Sequence, residues 1–271
     1  MKLLELFKKK APVKKPKAQP KANQQKQTRS SEKIAARKGD IGEYKIDIQL
    51  SQLPKEYRCL NDIMINNPRS VSGYSQIDHI VLSPYGIFVI ETKNYQGTIY
   101  GGKHRKTWLI NGKFKMLNPV MQNDGHIKAL KQYVDKKFDS QFISLISFTK
   151  RCKLKIDNDM REISSDEMVI YDLYLSETIN RKVLRKQLQV KEPMLSQVDI
   201  QNIYNTINAE NITDPKVREE HNRAITTSKD QNNQPKCAIC DKPVSQKVKQ
   251  YCLSNKSFKG KIYCFEHQKR A

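Results

Sequence analysis

The sequence predicts an α/β domain followed by a small metal-binding module. Three observations carry this expectation. Short apolar runs rich in β-branched residues recur between residues 57 and 171, stretches of helical periodicity flank them, and the C-terminal residues 236–271 hold four of the six cysteines, three of them in a C-x2-C and a C-x2-H pair. A chain of 271 residues suits one main domain and a small second one.

Residues 1–30 are dominated by Lys, Pro, Ala, Gln and Asn, with little to bury, and read as a disordered basic arm. Residues 1–38 contain thirteen Lys/Arg against Glu5 and Glu32, which is half of the net charge of +22. The rest of the positive charge lies in the folded part. Such a balance implies a polyanionic partner, with nucleic acid (DNA foremost) ahead of an anionic membrane surface. Leu3, Leu4, Leu6 and Phe7 beside the lysines would permit only a weak membrane-surface contact through the arm. No run reaches the roughly 18 apolar residues that span a bilayer. The cysteine usage suits a reducing compartment, and a cytoplasmic location is expected.

From Ile41 to Leu53, apolar residues recur at steps of three and four, which predicts a helix with Asp40 as N-cap and Pro54 as its end. Glu43 lies in its first turn, where an acid is favoured by the helix dipole whatever else it does. Tyr57 to Ile65 reads as a strand. Residues 76–93 then read as two strands joined by the turn Ser83-Pro84-Tyr85-Gly86. This hairpin is apolar from Ile77 to Leu82 and from Ile87 to Ile90, yet it carries Asp78, Glu91 and Lys93. Alternate strand residues share a face, so Glu91 and Lys93 point the same way and Asp78 can join them from the paired strand. Burying two carboxylates and a lysine is costly unless they bind something. A divalent metal accounts for the carboxylates, and an activated water for the lysine.

Residues 98–102 and 107–114 follow, the second containing an Asn111-Gly112 hairpin signal, and further strands are expected over 142–148 and 168–171. Asn118-Pro119 opens a helix expected to run to about Lys137, with Gln122 and His126 one turn apart on it. Helices over 175–189 and 196–208 close the domain. The second begins Ser196-Gln197-Val198-Asp199, which resembles a capping box with Asp in place of Glu. Residues 209–235 are polar, without periodicity, and read as a linker. The expected organisation is an arm (1–30), a domain (31–208), the linker (209–235) and the module (236–271). Cys59 and Cys152 read as small core residues.

In the module, Cys237 and Cys240, then Cys264 and His267, form C-x2-C and C-x2-H pairs, the spacing of two knuckles that close a tetrahedral Zn²⁺ site. Cys252 is the reserve ligand. Four protein ligands leave no open position, so the zinc would be structural. Lys247, Lys249, Lys256, Lys259 and Lys261, with Tyr251, Phe258 and Tyr263 between them, fit either a nucleic-acid-binding accessory module or a solvated basic surface.

The hairpin chemistry that fits best is phosphodiester cleavage. Asp78 and Glu91 would bind Mg²⁺ (or Mn²⁺), and Lys93 would orient or activate the attacking water. The motifs Gly42-Glu43, Gln76-Ile77-Asp78-His79, Ile87 to Tyr95 with Gly97, then Trp108, Asn118-Pro119 and Gln122 resemble the nuclease-related domain (NERD) family of the PD-(D/E)xK nuclease superfamily. The resemblance covers about residues 37–150. It implies a restriction-endonuclease-like mixed central sheet flanked by helices. It further implies an active site of Glu43, Asp78, Glu91 and Lys93, with Gln76 and Gln122 nearby to orient water or phosphate. Ile77 stands where the superfamily name has Pro. The expected function is a Mg²⁺-dependent deoxyribonuclease. The alternatives are a non-catalytic DNA-binding protein of the same fold and a membrane-surface adaptor using the basic arm.

Overall fold

The structure is a computed structural model that describes residues 44–233 and 235–269. Asp40, Glu43 and the 1–30 arm lie outside the described residues. Residues 44–50 are helical (α1). Strands β1 (Arg58–Asn66), β2 (Tyr74–Ser83) and β3 (Gly86–Lys93) form an antiparallel meander. β7 (Phe142–Phe148) and β9 (Glu167–Tyr171) extend it in parallel, giving a five-stranded mixed sheet in the order β1-β2-β3-β7-β9. β4 (Gly97–Tyr100), β5 (Thr107–Ile110), β6 (Phe114–Leu117) and β8 (Cys152–Lys155) form a second mixed sheet in the order β6-β5-β4-β8. The turn into β6 has Asn111 at φ 52° and Gly112 at φ 70°, the left-handed pair that an Asn-Gly hairpin requires.

The pleat sorts the central strands. Ile80 and Leu82 of β2 and Ile87 and Val89 of β3 face helices α2 (Pro119–Leu130) and α4 (Gln197–Ala209), through Leu130, Ile200 and Ile203. Val81, Phe88 and Ile90 face the other way, onto Ile46 and Leu50 of α1 and Ile179 of α3 (Leu175–Gln189). The sheet is therefore covered on both faces, as its near-continuous apolar strands demand. The second sheet packs Trp108, Ile99 and Leu154 over Ile146 and Phe148 of β7. Trp108 stacks on Phe148, with centroids 6.1 Å apart and ring planes 8° apart. Gly101 leaves room for the indole, since a Cβ there would lie 2.2 Å from Trp108 Cδ2. Asn118 caps α2 by accepting from Val120 N–H, and its amide donates to the carbonyls of Lys103 and Arg105 (both 2.9 Å). One residue thus ties the second sheet to the helix over the first. Ser196 and Asp199 form the reciprocal capping box at the start of α4.

Three elements depart from the sequence reading. α2 ends at Leu130, not near Lys137. Beyond it the chain turns to bury Val134 and Phe138 under the sheet, and Asp135 caps a short 3₁₀ turn by accepting from Lys137 N–H. β8 forms inside the stretch read as a polar interruption. Residues expected in an unperiodic linker instead contain a helix, α5 (Pro215–Asn233). Its approach runs along the edge strand β1, where Ile212 N–H donates to Met64 O (2.7 Å) and Met64 N–H to Asn211 Oδ1 (2.9 Å). Arg218 then clamps it, donating to the Asp62 carboxylate (2.6 Å) and carbonyl (2.9 Å) and to Ile212 O (2.8 Å). His221 is buried, with Nδ1 2.7 Å from Ser72 Oγ.

These docking contacts are polar, so one side chain carries much of the attachment. Arg218→Ala should cost about 2 kcal/mol in the docking of α5. Hydrogen exchange should show faster exchange over residues 212–233 with β2 and β3 unchanged. Unaltered protection of α5 would refute the clamp.

Candidate active site and C-terminal metal cluster

The apolar stripe shared by β2 and β3 ends in polar residues. Gln76 and Asp78 continue the face of Ile80 and Leu82, and Glu91 and Lys93 continue that of Ile87 and Val89. The β2–β3 ladder closes at His79↔Ile90, and beyond that pair the strands part. Asp78 Oδ2 fills the gap, accepting from Thr92 N–H and from Thr92 Oγ1–H (2.6 Å each). On the other side, Glu91 and Lys93 stay paired in parallel with Ile146 and Phe148 of β7, beneath the second sheet. The polar cluster therefore lies where β2 and β3 separate, beside Gln122 and His126 of α2.

Glu91 is 3% exposed, and α2 supplies its partners. Gln122 Nε2–H donates to Glu91 Oε1 (2.7 Å), and Gln122 Oε1 accepts from Lys93 Nζ (3.1 Å). Lys93 Nζ also donates to Glu91 Oε1. His126, one turn on from Gln122, places Nε2 3.3 Å from Glu91 Oε2. Glu91 Oε2 is buried, and His126 faces it. An ammonium has three N–H donors, and two of those of Lys93 are spent on Glu91 and Gln122.

The charges respond to these surroundings. Burial opposes ionisation of Glu91, but Lys93 and His126 outweigh it and hold the carboxyl down at about 2. Burial also opposes the Lys93 ammonium, yet Glu91 and Asp78 override it and raise the pKa above the ordinary lysine value. Lys93 is thus a persistent cation that can donate but not accept a proton. Asp78 behaves oppositely: burial, then the charge of Glu91, push it up to about 6 despite the Thr92 bonds. Asp78 and Glu91 are two carboxylates near enough for the charge of one to destabilise the other, a donor pair that could hold a divalent cation.

The structure brings together Asp78, Glu91, Lys93 and Gln122 from the expected set. Glu43 lies outside the described residues. Gln76 shares the face of Asp78 but is turned to β1, where Nε2–H donates to Asp62 Oδ1 (2.7 Å), so it braces the Arg218 clamp. His79 points to the opposite face beside Asn61 and Asp47, and burial lowers it to about 4. Sequence reasoning assigned no role to His126 or to the Thr92 side chain. The i,i+4 spacing of Gln122 and His126 was the available signal for the first. Nothing in the sequence marks the second.

In the C-terminal segment the metal-binding atoms of Cys237, Cys240, Cys264 and His267 all lie within 4.8 Å of one another. Cys240 and Cys264 sulfurs are 3.8 Å apart, and His267 Nδ1 is 3.2 Å from Cys264 Sγ and 3.5 Å from Cys237 Sγ. A tetrahedron with Zn–S bonds of about 2.3 Å has edges of about 3.8 Å, so the cluster could hold zinc. Burial opposes the Cys237 thiolate, but backbone N–H groups of Cys264, Ile239 and Cys240 outweigh it and bring the thiol down to about 6. Cys252, the reserve ligand, stands apart: it is buried and accepts from Tyr263 N–H and Gln268 Nε2–H (3.4 Å each).

Comparison with known proteins covers the same region. A family model described as nuclease-related domain matches residues 38–149. An uncharacterized protein of Bacillus anthracis is 32% identical over 188 residues, spanning 68% of this chain and 82% of that protein. No solved structure matches. The matched residues run through β2, β3 and α2, the elements that carry the site, and the chain belongs to the nuclease-related domain (NERD) family.

Proposed function

We propose that the protein is a metal-dependent phosphodiesterase that cleaves DNA. The observation that carries this reading is Glu91: a carboxylate buried at a strand end within the field of Asp78 and Lys93, with Oε2 facing His126 Nε2 at 3.3 Å. Asp78 and Glu91 are the residues that would hold Mg²⁺ or Mn²⁺. Such an ion, when bound, polarises the scissile phosphate and lowers the pKa of a coordinated water. Thr92 fixes the Asp78 carboxylate from below, and Gln122 fixes Glu91 and Lys93 relative to each other. The remaining N–H of Lys93 then serves to orient the attacking water or to meet a phosphate oxygen as negative charge develops. DNA is the favoured substrate because the net charge of +22 matches a polyanion. The Cys237, Cys240, Cys264 and His267 set would hold zinc structurally, since four protein ligands fill its coordination.

Labelled single-stranded, duplex and branched DNA, incubated with Mg²⁺ or Mn²⁺, should be cut by the native protein. Glu91→Gln and Lys93→Met should each lower the rate about a hundred- to ten-thousand-fold. Native rates in either variant would sink the assignment, and no cutting beside tight, salt-sensitive binding would replace it with a binding role.

Asp78 also makes a test that needs no substrate. Its folded pKa of about 6 lies above the ordinary 3.8, so in the metal-free protein its charge destabilises the fold above about pH 6, and this penalty vanishes as pH falls toward 3.8. Asp78→Asn should therefore raise the metal-free unfolding midpoint at pH 7.5 and raise it less at pH 4.5. An equal gain at both pH values would show that the carboxylate is not strained.

Chelation should unfold residues 235–269 selectively, because so short a segment depends on its metal. Amide protection should be lost there and kept in β2, β3 and β7. Retained protection after complete zinc removal would exclude a structural metal.

A further inference from the structure

The C-terminal module carries chemistry that the candidate nuclease site does not use. Residues 235–269 contain eight lysines against Asp241 and Glu266. Lys247, Lys256, Lys259 and Lys261 are exposed, and Glu266 is engaged by Lys242 instead (3.4 Å). Like charges gathered on so small a fold repel one another, and a polyanion relieves the repulsion.

Two large rings also stay outside the module's core, Tyr251 at 54% exposure and Phe265 at 72%. A segment with few apolar side chains to bury leaves out two of its largest. Tyr251 is held by the buried Phe258, edge to face with centroids 6.2 Å apart, and Phe258 by Tyr263 at 5.4 Å. Lys247 precedes Tyr251 by one turn on α6 (Gln246–Ser254), so ammonium and ring share a face. Lys269 Nζ lies over one face of the Phe265 ring, 5.0 Å from its centroid. Exposed flat rings framed by ammonium groups suit an unpaired nucleotide, whose base stacks on the ring while its phosphates meet the lysines. A duplex keeps its base faces internal and could use only the lysines.

We propose that residues 235–269 bind a single-stranded segment of nucleic acid, with Tyr251 and Phe265 as stacking platforms and Lys247, Lys256, Lys259 and Lys261 as phosphate contacts. The inference rests on the nuclease reading and deepens it, because it gives the enzyme a hold on unpaired strand belonging to the same substrate.

The test is equilibrium binding of a labelled oligothymidylate and of a matched duplex to the full-length, zinc-loaded protein. Glu91→Gln is present throughout, so that cutting does not interfere. Tyr251→Leu and Phe265→Leu should each weaken single-strand binding about tenfold, the size of one lost base–aromatic stack. Their duplex binding should stay within about twofold, and their salt dependence should not change. Replacing Lys256, Lys259 and Lys261 together by Gln should lower the salt slope on single strands by about two. These lysines are exposed, so that variant reads the surface even where a ring variant loses zinc. The proposal is overturned if both ring variants keep native affinity, if they lose duplex binding equally, if the lysine variant leaves the slope intact, or if anionic phosphatidylserine vesicles bind more tightly than the oligonucleotide. Because binding is read in a protein that does not cut, failure of the native enzyme to cleave DNA would leave this result standing, and the reverse also holds.

Discussion

The structure depends on keeping one ionised carboxylate at the end of a buried strand. Glu91 sits on the central strand of the five-stranded sheet, beneath a helix, where an isolated carboxyl would be driven to its neutral form. Its charge persists only because Lys93, Gln122 and His126 are held against it. That requirement explains much of the surrounding architecture. The β2–β3 ladder ends at His79↔Ile90, which leaves the Thr92 N–H to the Asp78 carboxylate. β7 must stay paired with β3 through Lys93 so that the strand end remains straight. α2 must begin close enough to place Gln122 over the strand.

Two residues of the motifs that resemble the family, Trp108 and Asn118, together with Asn123 of α2, act on that geometry and not on chemistry. Trp108 fills the space between the sheets and donates to Gly102 O (3.0 Å). Asn118 caps α2 and ties it to the loop before β5. Asn123, fully buried, donates to Val89 O (2.9 Å) and to Ser144 Oγ (2.8 Å), pinning α2 across β3 and β7. These contacts fix the register of α2, and the register decides whether Gln122 and His126 reach Glu91. Recurrent motifs around an active site therefore divide into groups that react and groups that aim them.

What could be read in advance follows the same division. β7 was expected over 142–148 and occupies Phe142–Phe148, because Phe142, Ile143, Leu145, Ile146 and Phe148, broken only by small serines, leave the strand little choice but to be buried on both faces. The strand positions of Asp78, Glu91 and Lys93 were legible from alternation, and Gln122 from the resemblance. α5 was not, because its attachment is a polar clamp by Arg218 and His221 and leaves no apolar periodicity to detect. The turn of Gln76 toward Asp62 was hidden for a related reason: it depends on Asp62 at φ 51°, a left-handed residue in a strand that no pattern of side chains announces. Cys252 matched the composition of a metal ligand, and only its hydrogen bonds separate it from the four that converge.

Two buried lysines show why the partners, and not burial, identify a reactive group. Lys182 is 1% exposed and donates to the carbonyls of Ile163, Ser164 and Ser165 (3.0, 3.1 and 2.7 Å), with Asp166 Oδ1 at 2.9 Å. Its three N–H groups are fully used, and it closes the loop before β9. Burial lowers its pKa, since neutral carbonyls and one half-exposed carboxylate compensate an ammonium less than buried carboxylates do. Lys93 meets a buried carboxylate and an amide, and its pKa moves up. The consequence is functional as well as electrostatic. A lysine whose donors are saturated by backbone is a cross-link. A lysine that keeps its charge against a buried carboxylate, with one donor unspent among the described residues, is the better candidate to meet a ligand.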